Sequence, residues 1–229
     1  MGANAQTAVP DFIAGEVLTA AEMTQVNTGI PVFATTTTRD AAFGGAGEKV
    51  LAEGQFAYIE ASNQTQFYDG AAWTALSSKI VQVVTTNKTS PFTTTSATFT
   101  DVTGLSVSIT PTSATSTILV LSSFMIGCDP TTTSAFIRLM RGASAIDVGD
   151  AAGSRIQATN DLAAINGDKQ AAGNIMFIDS PATTTATTYK IQVASPGSTT
   201  VAFGASSTDT NSSGRSRTVC SITVMEIAA

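Results

Sequence analysis

Leu105-Ser106-Val107-Ser108-Ile109, followed by Thr117-Ile118-Leu119-Val120-Leu121-Ser122-Ser123-Phe124-Met125-Ile126, decides the fold class. The first stretch alternates apolar and polar residues with period two, the pattern of a strand with one buried face. The second is a nearly continuous apolar run, which suits a strand covered on both faces. Thr110-Pro111 marks the turn between them. Further strand signals lie at Lys79–Val84, Ala97–Phe99, Phe136–Arg141, Asn174–Ile178, Tyr189–Val193, Val201–Phe203 and Thr218–Ile227. Asp129-Pro130, Ser180-Pro181 and Ser195-Pro196-Gly197 separate them. Short strands at this spacing over about 150 residues predict an antiparallel β-sandwich of jelly-roll type for residues 77–229.

Composition agrees with a mainly β chain. Thr and Ser make up roughly a quarter of the 229 residues, and Thr favours half-buried pleated surfaces. The formal charge is −6, from 11 Lys+Arg against 17 Asp+Glu, which argues against a nucleic-acid binder needing a basic surface. There is no histidine, so the usual general base and the commonest zinc ligand are missing. Cys128 and Cys220 stand far apart with no CxxC spacing and read as buried thiols. Ile118–Cys128 is interrupted by Ser122 and Ser123 and is too short to span a bilayer, so no membrane insertion is expected. Residues 1–30 lack a basic start and an apolar core, so no secretory signal is expected and synthesis is placed in the host cytoplasm.

Two smaller segments precede the sandwich. Residues 1–31 contain a short helix signal: Thr19 and Glu22 form a capping box, Leu18 and Met23 a hydrophobic staple, and Gly29 and Pro31 end it. A helix this short needs a docking partner. The apolar residues Leu18, Met23, Val26 and Ile30 are the expected anchor. Residues 32–76 read as a β-knob, with strands at Gln55–Ile59 and Gln66–Tyr68 and an Asp69-Gly70 turn. Phe56, Tyr58, Phe67, Tyr68 and Trp73 crowd this segment. About 45 residues rarely supply a sufficient core, so the aromatics are expected to be that core and the knob to complete it by oligomerising.

Phe12–Met23 (F-I-A-G-E-V-L-T-A-A-E-M) resembles the opening of bacteriophage tail-fibre and virion-appendage proteins of the marine or cyanobacterial phage type. Arg39-Asp40, E-G-Q-F-A-Y-I-E and F-Y-D-G-A-A-W are similar to their small β-knobs. I-V-Q-V-V, F-T-D-V-T-G-L-S-V-S-I-T-P, R-L-M-R-G, D-S-P-A, T-Y-K-I-Q-V and S-I-T-V-M-E-I-A-A resemble their C-terminal domains. The resemblance implies a homotrimeric virion component. Its head would be a jelly roll like those of the C1q and tumour-necrosis-factor families, and residues 1–31 would engage other virion proteins. Host attachment, through a cell-surface polysaccharide, is the expected role; a capsid or tail decoration without receptor binding is the alternative. No extended shaft is present, so a long reach is not expected.

No catalytic, cofactor or metal site is expected. Gly44-Gly45-Ala46-Gly47-Glu48-Lys49 lacks the phosphate-loop spacing, and Asp209–Gly214 reaches Cys220 where a calcium loop needs Glu. Two nearby carboxylates, Asp147 and Asp150, read as solvated. Candidate receptor-facing residues lie on three polar loops: Asp129 and Thr131 on the first; Asp150, Arg155, Asn160, Asp168 and Lys169 on the second; Asp209, Asn211 and Arg215 on the third. The second, Gly149–Lys169, is the longest stretch without clear strand signals.

Overall fold

The computed structural model describes residues 29–43, 49–128, 134–163 and 168–229, together with Gly15, Val17, Thr19 and Ala20. Leu18, Met23 and Val26 of the expected anchor helix, and the glycine-rich loop 44–48, lie outside the described residues; Ile30 is exposed. No helix among the described residues is long and apolar enough to cross a membrane. The chain divides into two compact units, residues 1–78 and 79–229.

The first unit contains β1 (Val32–Phe33), α1 (Thr36–Asp40), β2 (Phe56–Ile59), β3 (Gln64–Tyr68) and β4 (Trp73–Ala75), its sheet ordered β1-β2-β3-β4. Helix α1 is built from threonines of low helix propensity and exists through its cap. The Thr38 amide donates to Thr35 Oγ1 at 3.2 Å and the Thr35 amide to Thr38 Oγ1 at 3.0 Å. The Asp69-Gly70 turn joins β3 to β4. Asp69 accepts from the amides of Ala71 and Ala72, and these bonds, that of Ala72 foremost, hold its carboxyl below the usual range. Phe33, Ala42, Ala57 and Ile59 are buried, with Phe43 and Trp73 packed on them. Arg39 is buried with its guanidinium 4.6 Å over the Trp73 ring, donating to Gln66 and Asp40.

The aromatics expected as one core separate. Tyr68 and Trp73 join Phe43 on the inner side, whereas Phe56 pairs with Phe67 at 6.4 Å and Phe56 stays exposed. Strand alternation is the reason, since Phe56 and Tyr58 point opposite to the buried Ala57 and Ile59.

The second unit holds β5 (Ile80–Lys88), β6 (Phe92–Thr94), β7 (Thr100–Ile109), β8 (Thr117–Cys128), β9 (Ala135–Arg141), β10 (Ser144–Ile146), β11 (Asn160–Leu162), β12 (Ala171–Asp179), β13 (Thr187–Ala194), β14 (Val201–Phe203) and β15 (Cys220–Ile227). In one sheet β5 pairs β15, β15 pairs β8, and β12 takes the other edge of β8. Strand β14 continues the β15 column beside Ile126–Cys128 and carries β6. In the other sheet β7 pairs β13 and β13 pairs β9, while β10 and β11 share the far edge of β9.

Successive long strands thus fall in alternate sheets. With β10 and β11 counted as one interrupted strand, and β6 and β14 as additions, the eight-strand order is 1-8-3-6 facing 2-7-4-5. This is the strand order of a jelly roll.

Val102, Leu105, Val107 and Ile109 of β7, Ile118, Val120, Phe124 and Ile126 of β8, and Ile222 and Val224 of β15 fill the space between the sheets. Gly104 adopts φ +85° and makes a bulge, so Val102 and Leu105, three residues apart, both point inward. A polar tie also crosses the sandwich. Asp179 on β12 accepts from Tyr189 on β13 at 2.6 Å and from Arg141 on β9 at 2.8 Å. Burial and the Asp179 carboxylate push the Tyr189 phenol up.

Three expectations are corrected. Ala97–Phe99 forms no strand; β6 lies earlier, at Phe92–Thr94, and Phe99 instead takes the Arg138 guanidinium 3.8 Å from its ring. The apolar run of β8 is covered on one face only: Leu119, Leu121 and Met125 reach the outer side and are half-buried. The stretch Gly149–Lys169 contains β11, so Asn160 is a strand residue paired with Ile137, its amide donating to the Asn174 carbonyl at 3.4 Å.

Candidate functional site

Strand directions sort the loops of the second unit between two ends. Lys79 and Ala229 share one end, where Lys79 Nζ donates to the Ala229 carbonyl at 2.9 Å and the Ala228 amide to the Lys79 carbonyl at 2.8 Å. The segment between β14 and β15 and the one leading into β12 emerge at the opposite end.

The base of the 204–219 loop is built into the sandwich. Gly204, at φ +72°, donates to the Met125 carbonyl and accepts from the Thr218 amide, each at 2.8 Å. Gly127 on β8 leaves room for the backbone of Ala205–Ser207 to cross it. Ala205 and Ser206 are buried, and the chain then turns polar.

Above this base, two arginine–carboxylate pairs order the loop. Arg217 donates to both Asp209 oxygens, at 3.2 and 2.8 Å, and Asp209 raises the guanidinium's already high pKa. Arg215 donates to Thr208 and to Asp168, joining the loop to the segment before β12. Gln170 strengthens that link, donating to the Ser216 carbonyl at 2.9 Å and accepting from Thr218 Oγ1 at 3.1 Å. Asp209, Thr210, Asn211, Ser212, Arg215, Ser216 and Arg217 line an open concavity of about 350 Å³.

The sequence-derived candidates are therefore only partly gathered. Asp168, Asp209, Asn211 and Arg215 meet at this end, with Lys169 beside Asp168 in the chain. Asp150 and Arg155 stand apart, because the 147–159 segment leaves and rejoins the sheet at the middle of β9, opposite Leu139 and Ile137. Asp129 and Thr131 lie outside the described residues. Gln170 and Ser216 belong to the site but were not among the candidates, whereas Thr208 opens the third candidate loop, Thr208–Arg215; Ser216 lies in a Ser-rich turn region, and Gln170 carries no such signal.

The chemistry on offer is hydrogen bonding. Hydroxyls, an amide and guanidinium edges face an open hollow, while the carboxylates Asp168 and Asp209 are each engaged by arginine. The described residues of the two joined loops carry Lys169, Arg215 and Arg217 against Asp168 and Asp209.

No protein-family model matches the sequence, and no curated protein matches it. Among solved structures, the fold is similar to the D431N mutant VP2 protein of infectious bursal disease virus in derived T=1 particles, with a TM-score of 0.34 and 11% identity. The match covers 72% of this chain and 42% of that protein, so this chain spans less than half the length of the structure it matches. A likeness this slight says nothing of function.

Proposed function

We propose that this chain is a virion structural protein: a homotrimeric appendage, attached through residues 1–31, that presents its sandwich loops to a host cell-surface polysaccharide. The carrying observation is the polarity of the second unit. Lys79, where the unit begins, sits at one end, and the Asp168–Asp209–Asn211–Arg215 cluster sits at the other. The sequence resemblance to phage appendages supplies the setting. A hydroxyl- and amide-lined hollow suits a sugar's array of donors and acceptors.

The internal pairing of both arginines favours a second reading, a decoration whose loops contact nothing. Binding of the labelled, purified chain to cells of the host, in competition with the parent phage, separates the two. Saturable binding that blocks infection and falls at least tenfold in Arg217→Ala supports attachment. An absence of binding, together with loss of particle integrity when the gene is deleted, supports decoration and refutes attachment.

A further inference from the structure

A second hollow lies at the end of the sandwich opposite the 204–219 loop. Thr187 is in register with Ile109 and Asp179 with Ile118, which places the turn between β12 and β13 at the end where Lys79 meets Ala229. Arg141, Gly142, Pro181, Thr183, Ala186 and Thr187 border an open space of about 360 Å³ there. Arg141 is the one cation among the described residues of that lining.

Its guanidinium is half engaged. Nη1 donates to both Asp179 oxygens, at 2.8 and 3.0 Å, whereas Nε and Nη2 bond nothing among the described residues. Arg217, by contrast, gives both Nε and Nη2 to Asp209. Asp179 is itself fixed: its side chain is 7% exposed and accepts from the Tyr189 hydroxyl at 2.6 Å. A buried carboxylate that grips one nitrogen orients the whole planar group, so little ordering remains to be done when a ligand meets its other edge. The Arg141 side chain keeps 35% exposure, and solvent reaches it through the hollow.

We propose that this hollow is a binding site for a carboxylate. The Nε–Nη2 edge offers two parallel N–H bonds at the spacing of a carboxylate's two oxygens. Thr183 adds a hydroxyl that can donate, and Pro181 and Ala186 give apolar surface to the methylenes behind the carboxylate. Charge selects the class. Arg141 brings one positive charge and Asp179 behind it one negative, so a monoanion is matched, while a dianionic phosphate meets Asp179 with no second cation in the described lining. The same chemistry serves a free organic acid and an acidic side chain of a polypeptide. The site stands apart from the appendage reading and does not depend on it.

Titration of the isotope-labelled full chain at low ionic strength, followed through the arginine Nε–H and Gly142 amide signals by NMR, tests this. The signal lost in Arg141→Lys identifies Arg141. Butyrate should move the Arg141 and Gly142 signals saturably, half-way at about 1–10 mM, and at least tenfold below any concentration that moves the exposed Arg155. Acetate, which lacks the methylene stem, and phosphate should each bind more weakly. Thr187 shares a face with Tyr189, the cross-strand partner of Arg141, so Thr187→Glu tethers a carboxylate in the hollow. In that variant the Arg141 signal should be displaced from the start and respond to butyrate at least tenfold less. Arg141→Lys keeps the charge beside Asp179 but not the forked edge, and should abolish the Gly142 response while circular dichroism shows an intact fold. A capped glutamyl peptide that binds more tightly than butyrate assigns the carboxylate to a polypeptide, and one that binds more weakly assigns it to a free acid. Arg141 shifts no larger than those of Arg155, or a Thr187→Glu chain that answers butyrate as wild type does, overturn the site. Phosphate binding as tight as that of butyrate overturns the carboxylate class.

Discussion

Glu226 is a buried carboxylate that forms no salt bridge among the described residues. It accepts from Gln82 Nε2 at 2.6 Å, from the Thr112 amide at 2.7 Å and from Thr112 Oγ1 at 2.7 Å. Burial alone pushes its pKa up, but Gln82, Thr112 and Ser116 outweigh that and hold it at about 2, against an ordinary 4.5. These bonds tie the 110–116 turn to β15 and, through Gln82, to β5. Because the folded-state pKa is depressed, the stabilisation is complete above pH 4.5 and disappears as pH falls toward 2. The difference amounts to about 3 kcal/mol. Glu226→Gln keeps the shape but removes the charge-assisted bonds. It should therefore cost about 2–3 kcal/mol at pH 7 and flatten the stability profile between pH 4.5 and 2. Urea denaturation followed by far-UV circular dichroism, at steps from pH 7 to 2.5, measures both effects. A variant within about 0.5 kcal/mol of wild type at pH 7, or one that loses stability on acidification as steeply as wild type, would refute this account.

Gly127→Ala would place a Cβ 2.5 Å from the Ser207 amide nitrogen and 2.6 Å from the Ala205 carbonyl oxygen, both backbone atoms. Denaturant titration should show a loss of about 3 kcal/mol, and a loss under about 1 kcal/mol would mean the 204–219 loop is not seated on β8 as described. Arg39→Met leaves Gln66 without its guanidinium donor and removes the cation from Trp73. The first unit should lose about 2–3 kcal/mol. Trp73, the only tryptophan, reports it by fluorescence; emission that unfolds at the wild-type urea concentration contradicts the role given to Arg39.

The sandwich was legible because its long strands carry their own signal. The alternation of Leu105–Ile109 and the apolar run from Thr117 survive into β7 and β8 almost residue for residue. Strands β10 and β11 were not legible: each has three residues and is held by pairing to β9, which leaves no period to read. Helix α1 was hidden because Thr36–Thr38 argue against a helix by propensity, while the Thr35–Thr38 cap and the burial of Arg39 form one. At the candidate site the loops could be named, since polar turn residues mark them. Which arginine meets which carboxylate could not, because Asp168 and Arg215 lie 47 residues apart and meet only through the β8–β12 and β8–β15 pairings. The apolar run of β8 marked a strand, but the expected cover on both faces is absent: Leu119, Leu121 and Met125 are half-buried on the outer side.

The adjacency of Lys79 and Ala229 has a practical consequence for anyone using this sandwich as a display scaffold. A peptide or reporter fused after Ala229 emerges beside Lys79, where the unit begins. Cargo intended for presentation belongs instead near Thr210–Ser213, among exposed residues above a seated loop base. The same closeness of ends lets the whole of residues 79–229 be spliced into a surface turn of another protein with short joints, since entering and leaving strands need be bridged across only one gap.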